Sequence, residues 1–340
     1  MNRRKTRIAV NNPRLILPKR TSIINLKFKV MKKKFSLYHS GTYRGFFNLF
    51  HGVRVMIFLM LVGLPHVSAT ASSQNAVINL KLKDVSSILP WYSEVNTDKT
   101  VEIVNYMKNQ AMNGEKIFYP IYSEEEMQED PDKKDTGLFF FRGNAGAKTA
   151  IINAGGGFVY VAGIHDSFPH ALELSKKGHN AFALIYRPGA QTACEDLARA
   201  IAFLHENAEQ LQIDMTDYSL WGGSAGARMA AWLGSYGTAY FGEKEYPAPA
   251  AVIMQYTGLS QVTGMEPPTY ACVGTSDGIA SYRSMEKYIS QIQQNGPNTK
   301  IEVFKGLSHG FGLGEGTVAE GWIDRAISFW EDNMNALDKR

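Results

Sequence analysis

The stretch Tyr218-Ser-Leu-Trp221-Gly222-Gly223-Ser224-Ala225-Gly226 decides the fold class of this chain. Tyr218–Trp221 has the bulky, apolar composition of a buried strand. Ala225–Leu233 is alanine-rich and reads as a helix. Between them there is no room for a loop, so the chain turns sharply at Ser224. Such a strand-to-helix turn is strained and lifts the serine clear of the sheet. Glycine on both sides relieves the crowding. The helix start also leaves backbone N–H groups free to face developing negative charge. Ser224 is therefore a candidate nucleophile; the plainer alternative is a tight turn with a capping serine.

Outward from this point, strand-like and helix-like segments alternate. Strands are expected at Lys116–Ile121, Gly137–Phe141, Thr149–Asn153, Asn180–Tyr186, Tyr218–Trp221, Ala251–Tyr256, Thr269–Val273 and Lys300–Phe304. Several are unbroken apolar runs, as parallel strands covered on both faces require. Amphipathic helices are expected at Phe168–Lys177, Cys194–Leu211, Ala225–Leu233, Tyr282–Gln294 and Val318–Met334. This pattern predicts an α/β fold: a mostly parallel eight-stranded sheet with helices on both faces. Val101–Met112 reads as a helix at the rim. The acidic stretch 122–136 reads as an exposed hairpin or loop.

A second glycine cluster, Asn153-Ala154-Gly155-Gly156-Gly157-Phe158, follows a strand upstream. A backbone without side chains brings N–H donors close to a reacting carbonyl oxygen. Phosphate binding is disfavoured, because no Lys-Ser/Thr follows and the spacing is not G-x-G-x-x-G. A plain flexible loop stays open as an alternative. Serine needs a base, and five histidines lie beyond the leader. His179 and His205 read as structural. His165 and His170, close behind the glycine cluster, are placed to line a pocket, and Phe158 and His165 are expected to contact substrate. His309 sits in Gly306-Leu-Ser-His309-Gly-Phe-Gly312 after the last strand, in a loop suited to aim an imidazole at a serine. A base needs an orienting acid, and Asp277 in Gly274-Thr-Ser-Asp277-Gly278 lies at a strand's C-terminal end, where such sheets place their sites. Its plainer role is an Asx turn or N-cap. Asp166, Asp214 and Asp217 are weaker rivals. The order is glycine loop, Ser224, Asp277, His309, each after a strand.

Charge is unevenly spread. The 340 residues carry a formal net charge of +4, yet residues 1–71 hold 14 Lys+Arg and no Asp or Glu. The remainder is acidic, which argues against nucleic-acid partners. The leader ends in the apolar run Val55–Leu64 and Ala69-Thr-Ala71, the layout of a secretory signal peptide cleaved near Ala71. That run is too short to span a bilayer, so stable membrane insertion is not expected after cleavage; an uncleaved anchor is the alternative. Met31-Lys-Lys-Lys is the more natural start. The expected product is secreted or periplasmic. Cys194, read as lying in a loop before a helix, and Cys272, in a strand, are expected to be free packing residues.

These motifs resemble the α/β-hydrolase superfamily, and within it the bacterial acetylesterase and carbohydrate-esterase-like branch, over about residues 116–336. The resemblance implies Ser224 as nucleophile, His309 as base and Asp277 as third member. It implies backbone N–H groups of Ala225 and of Gly156 or Gly157 as oxyanion donors. His165–Pro169 and Ala181–Arg187 also match family features. Many relatives have His-Gly-Gly-Gly where this chain has Ala154-Gly-Gly-Gly157, a departure that bears on how the loop is anchored. Only Leu259–Pro268 joins the sixth and seventh strands, so no large cap domain is expected. The implied organisation is a leader (1–71), an N-terminal extension packing on the core (72–115) and a catalytic domain (116–340). The implied activity is hydrolysis of acetyl or short-acyl esters, including acylated carbohydrate such as xylan, without metal or organic cofactor. The implied partner is a small-molecule or oligosaccharide ester. A serine peptidase of the prolyl-oligopeptidase type and a non-catalytic binding protein on the same fold are the alternatives.

Overall fold

The structure, a computed structural model, describes residues 97–334. The leader and residues 72–96 of the expected extension lie outside them. The described chain runs α1 (Thr97–Met112), β1 (Phe118–Pro120), α2 (Glu124–Glu129), β2 (Gly137–Phe141), β3 (Lys148–Asn153), α3 (Gly163–Asp166) and α4 (Phe168–Lys176). It continues β4 (Asn180–Ile185), α5 (Ala190–Glu206), α6 (Ala208–Leu211), β5 (Asp214–Gly223), α7 (Ala225–Tyr236), β6 (Ala251–Gln255) and β7 (Thr269–Gly274). It closes with α8 (Tyr282–Gln294), β8 (Thr299–Phe304) and α9 (Trp322–Asn333).

The eight strands form one sheet in the order β1-β2-β4-β3-β5-β6-β7-β8. β2 runs antiparallel to β1 and β4, and all other pairs are parallel. The expected mostly parallel architecture is borne out. Strand alternation shows how the layers are built. Trp221 points to α9, its ring 6.3 Å from that of Trp322. The next residue, Gly222, points to α7, where a Cβ would lie 2.3 Å from the Gly226 carbonyl carbon. Helices α7 and α9 therefore cover opposite faces. Helix α5 packs beside α7, and α4 lies on β3 and β4. Trp221, Trp322, Trp330 and Tyr270 are among the large buried rings between these layers. Each such ring removes roughly 150–250 Å² from water, about 4–6 kcal/mol before entropy is counted.

Several local expectations are corrected. Residues 122–136 are not a hairpin or an irregular loop. Ser123 and Glu126 form a reciprocal capping box, which starts α2, and Pro131–Asp135 follows as a 3-10 turn. Arg187 then ties this segment down through Asp130 and the Tyr122 hydroxyl. Helix α9 begins at Trp322 rather than Val318, because Gly321 breaks the run in a left-handed conformation and Val318 is 63% exposed. The helix expected from Cys194 starts earlier, at Ala190, so Cys194 lies inside α5 and not in a loop. Both cysteines are free and buried. Strand β5 extends back to Asp214, where Lys148 pairs with Asp214 and Asp217. At the other end of the described chain, α1 packs on α4 and α3, and Lys99 and Lys176 pair with Glu173 and Glu102. Among the described residues, no helix is long and apolar enough to cross a membrane.

Candidate active site

The loops at the C-terminal ends of β3, β5, β6, β7 and β8 meet around Ser224. The serine sits between β5 and α7 with φ 52° and ψ −111°, a conformation that costs a non-glycine residue about 1–3 kcal/mol. Close packing holds it there. A Cβ on Gly226 would fall 1.9 Å from the Asn153 carbonyl oxygen, so the helix start can approach β3 only through glycine. The Ser224 N–H donates to the Gln255 carbonyl at 3.0 Å.

His309 Nε2 lies 3.0 Å from Ser224 Oγ, and its Nδ1 lies 2.8 Å from Asp277 Oδ2. The Asp277 side chain is fully buried. Its Oδ1 accepts from the N–H groups of Ile279 (2.8 Å) and Ala280 (2.7 Å). Both readings of Asp277 thus hold at once: one oxygen builds the turn, the other faces the imidazole. The N-cap of α8 is Ser281 instead. A carboxylate held in this way fixes which ring nitrogen carries the proton and leaves Nε2 free to accept one from serine.

The glycine loop lies against the serine: a Cβ on Gly155 would be 3.1 Å from Ser224 Cβ. Gly156 has φ 126°, and a Cβ there would meet the Tyr160 carbonyl oxygen at 2.0 Å. Among the described residues, no acceptor meets the N–H of Gly156 or Gly157. Ala225 opens α7, so its N–H has no acceptor inside the helix. These three N–H groups are thus left without an acceptor within the described residues.

What replaces the missing loop histidine is distributed. The Tyr186 hydroxyl donates to the Ala154 carbonyl at 2.7 Å. The buried Asp166 carboxylate accepts from the Gly155 N–H at 2.6 Å through Oδ2, and from the Tyr256 hydroxyl through Oδ1. Burial, and next the charge of Asp166, raise the Tyr256 phenol well above its usual value, which keeps it a donor. Gln255 reaches over to donate to the Gly312 carbonyl at 2.8 Å in the His309 loop. Asp166 therefore belongs to this site as a loop anchor and not as the orienting acid. Asp214 and Asp217 bind Lys148 instead, at the far end of β5. Sequence reading missed Gln255 and Tyr256; their one signal was a place at the C-terminal end of a parallel strand.

The two histidines behind the glycine loop have different surroundings. His165 Nε2 lies 2.8 Å from the Gly310 carbonyl, so the ring braces the His309 loop. His170 is 2% exposed and sits in an enclosed space with Ile152, Asp166, Trp221, Gln255 and Trp322. Burial pushes its pKa down to about 4, and neither ring nitrogen has a partner. Phe158 stacks on Trp232 of α7, centroids 6.1 Å apart. Among the described residues, no group of three or more His, Cys, Asp or Glu is placed to hold a metal ion.

The BD-FAE family model matches residues 143–267, which include the glycine loop and Ser224 and stop before Asp277 and His309. No curated protein matches the chain. Among solved structures, the chain is similar to the acetyl ester-xyloside bifunctional hydrolase of Caldicellulosiruptor lactoaceticus. The TM-score is 0.56 at 19% identity, covering 63% of this chain and 95% of that one. It is also similar to a thermophilic esterase of Thermogutta terrifontis, with TM-score 0.54, 18% identity, and 63% and 93% covered. A third is an enzyme from a Medee basin deep-sea metagenome library, with TM-score 0.51, 19% identity, and 59% and 93% covered. At such identities the likeness is one of fold.

Proposed function

We propose that this chain, which has the α/β-hydrolase fold, is a serine carboxylic ester hydrolase acting through a covalent acyl-enzyme. One observation carries the reading: a continuous line of hydrogen-bonded groups runs from buried Asp277 through His309 to Ser224 Oγ. In the proposed reaction, His309 Nε2 takes the Ser224 proton as Oγ attacks the ester carbonyl. Asp277 stabilises the resulting imidazolium. The N–H groups of Ala225 and of Gly156 or Gly157 receive the oxyanion as charge develops. His309 then protonates the departing alcohol. Water repeats the sequence on the acyl-enzyme and releases the acid.

Substrates in this proposal are acetyl or other short-acyl esters, including those of carbohydrates such as xylan. The short β6–β7 connection supports access for a bulky alcohol. The names of two structural relatives, an esterase and an acetyl ester-xyloside hydrolase, agree with that class. The leader supports export, with a mature N-terminus near Ala71, readable by mass spectrometry of the processed protein. The decisive experiment is turnover of p-nitrophenyl acetate together with labelling by a fluorophosphonate probe. Wild-type protein turns over and is labelled at Ser224. Full activity in Ser224→Ala, or no labelling of the wild type, refutes the reading.

A further inference from the structure

Arg228 stands out among the cations. The other described arginines are all engaged: Arg142, Arg187, Arg199 and Arg325 by hydrogen bonds, and Arg283 over the Tyr282 ring. The Arg228 guanidinium has no hydrogen-bond, ion-pair or ring partner among the described residues. It is nevertheless partly buried, and burial alone lowers its pKa from the usual value. A guanidinium stays charged under any ordinary condition. Withdrawing it from water without a counter-charge is costly, so an unpartnered one a single helical turn from Ser224 points to an absent anion.

Its place is specific. Arg228 follows Ser224 by four residues, one turn along α7, and helical side chains lean toward the N-terminus. Its Nη2 lies 3.5 Å from where a Cβ on Gly258 would stand. Gly258 lies three residues after Gln255, whose carbonyl accepts the Ser224 N–H. One residue before Gly258, the buried Thr257 hydroxyl also lacks a partner. Four residues beyond Arg228, on the same helical face, Trp232 carries the stacked ring of Phe158 from the glycine loop. Arg228 and Trp232 thus follow Ser224 at successive turns along one face of α7, with Phe158 stacked on the second.

We propose that Arg228 is the anion-recognition residue of this site and that the preferred substrates are esters bearing a carboxylate. The planar fork of the guanidinium matches the two oxygens of a carboxylate. The Phe158–Trp232 rings offer an apolar face for the remainder of the molecule, such as a sugar ring. The carboxylate comes either from the alcohol, as in an acetylated uronic acid, or from the acyl group, as in a dicarboxylic half-ester. The proposal rests on the esterase reading above.

Two substrate pairs distinguish the sources. On the alcohol side, O-acetyl glucuronic acid is compared with O-acetyl glucose; on the acyl side, mono-p-nitrophenyl adipate is compared with p-nitrophenyl hexanoate. In one pair, the acidic member shows a kcat/KM higher by roughly 10- to 100-fold, the scale of a charge-assisted contact. That ratio collapses in Arg228→Gln, recovers in part in Arg228→Lys, and shrinks with added salt. A wild-type ratio near one in both pairs overturns the proposal, as does a ratio that Arg228→Gln leaves intact. If no ester is turned over, the esterase reading fails by itself. The anion site is then read by calorimetry with glucuronate and adipate. Binding to wild type that is lost in Arg228→Gln sustains it; no binding, or equal binding to both, overturns it.

Discussion

The phenol of Tyr256 donates a hydrogen bond to the buried carboxylate of Asp166, while its ring packs 4.9 Å from the imidazole of His309. One side chain therefore touches both the anchor of the glycine loop and the proposed base. The adjacent Gln255 binds the elbow with its carbonyl and the His309 loop with its amide. The end of β6 is the joint that sets the distances between these loops.

Loss of Asp166 separates positioning from chemistry. Asp166→Ala leaves the Gly155 N–H and the Tyr256 hydroxyl buried and unpaired, at about 1–3 kcal/mol each. The loop donors then lose their fixed aim, and kcat should fall by roughly 100-fold or more, the scale of one oxyanion donor. KM should change much less. Tyr256→Phe, which removes one of the two bonds, should show a smaller loss. Steady-state kinetics on p-nitrophenyl acetate with parallel thermal melts checks both. Unchanged kcat in Asp166→Ala would rule out the anchoring role.

The strain at Ser224 predicts an unusual ranking of variants. Glycine accepts φ 52° and ψ −111° without the clash that alanine keeps. Ser224→Gly and Ser224→Ala should both be inactive. Ser224→Gly should still be the more stable of the two by about 1 kcal/mol, roughly 2–4 °C in Tm for a domain of this size. Differential scanning calorimetry decides the order.

His170 makes stability depend on pH. Its pKa is lowered from 6.5 to about 4 in the folded protein by burial. Between those values the unfolded chain binds a proton that the native state excludes. Stability is therefore full above about pH 6.5 and falls as pH drops toward 4, by up to about 3 kcal/mol. His170→Leu, which breaks no hydrogen bond of the ring, should flatten this slope in urea titrations run from pH 7 to 4. An identical slope in the variant would remove His170 as its source.

Arg187 and Asp196 form a buried pair behind the site. The Asp196 side chain is fully buried and takes hydrogen bonds from the Arg187 guanidinium, the Arg187 N–H and the Tyr122 hydroxyl. Removing the cation strands the carboxylate, so Arg187→Ala should cost about 3–5 kcal/mol in chemical denaturation. Arg187→Lys should also destabilise, because one ammonium cannot replace a fork that spans Asp196, Asp130 and Tyr122.

The order of strands, the Ser224 elbow and the loops carrying Asp277 and His309 were legible because each leaves a local signature. Apolar runs mark strands, and glycines mark places where backbone must pass close to backbone. The acidic stretch 122–136 misled because charge was read as exposure, whereas its structure comes from a capping box and a distant arginine. Gln255 and Tyr256 carry no motif at all, being ordinary residues at the end of an ordinary strand.

The sequence by itself determined the layered sheet, the strained turn at Ser224 and the residue types able to do acyl chemistry, since hydrophobic period and glycine placement act over a few neighbours. Only the tertiary structure decided that Asp166 holds the glycine loop, that His165 braces the His309 loop, that His170 is buried without a hydrogen-bond partner, and that the Arg228 guanidinium is left without a counter-ion among the described residues. Those outcomes depend on which groups from distant segments arrive within 3 Å of one another, and on which are cut off from water when they do.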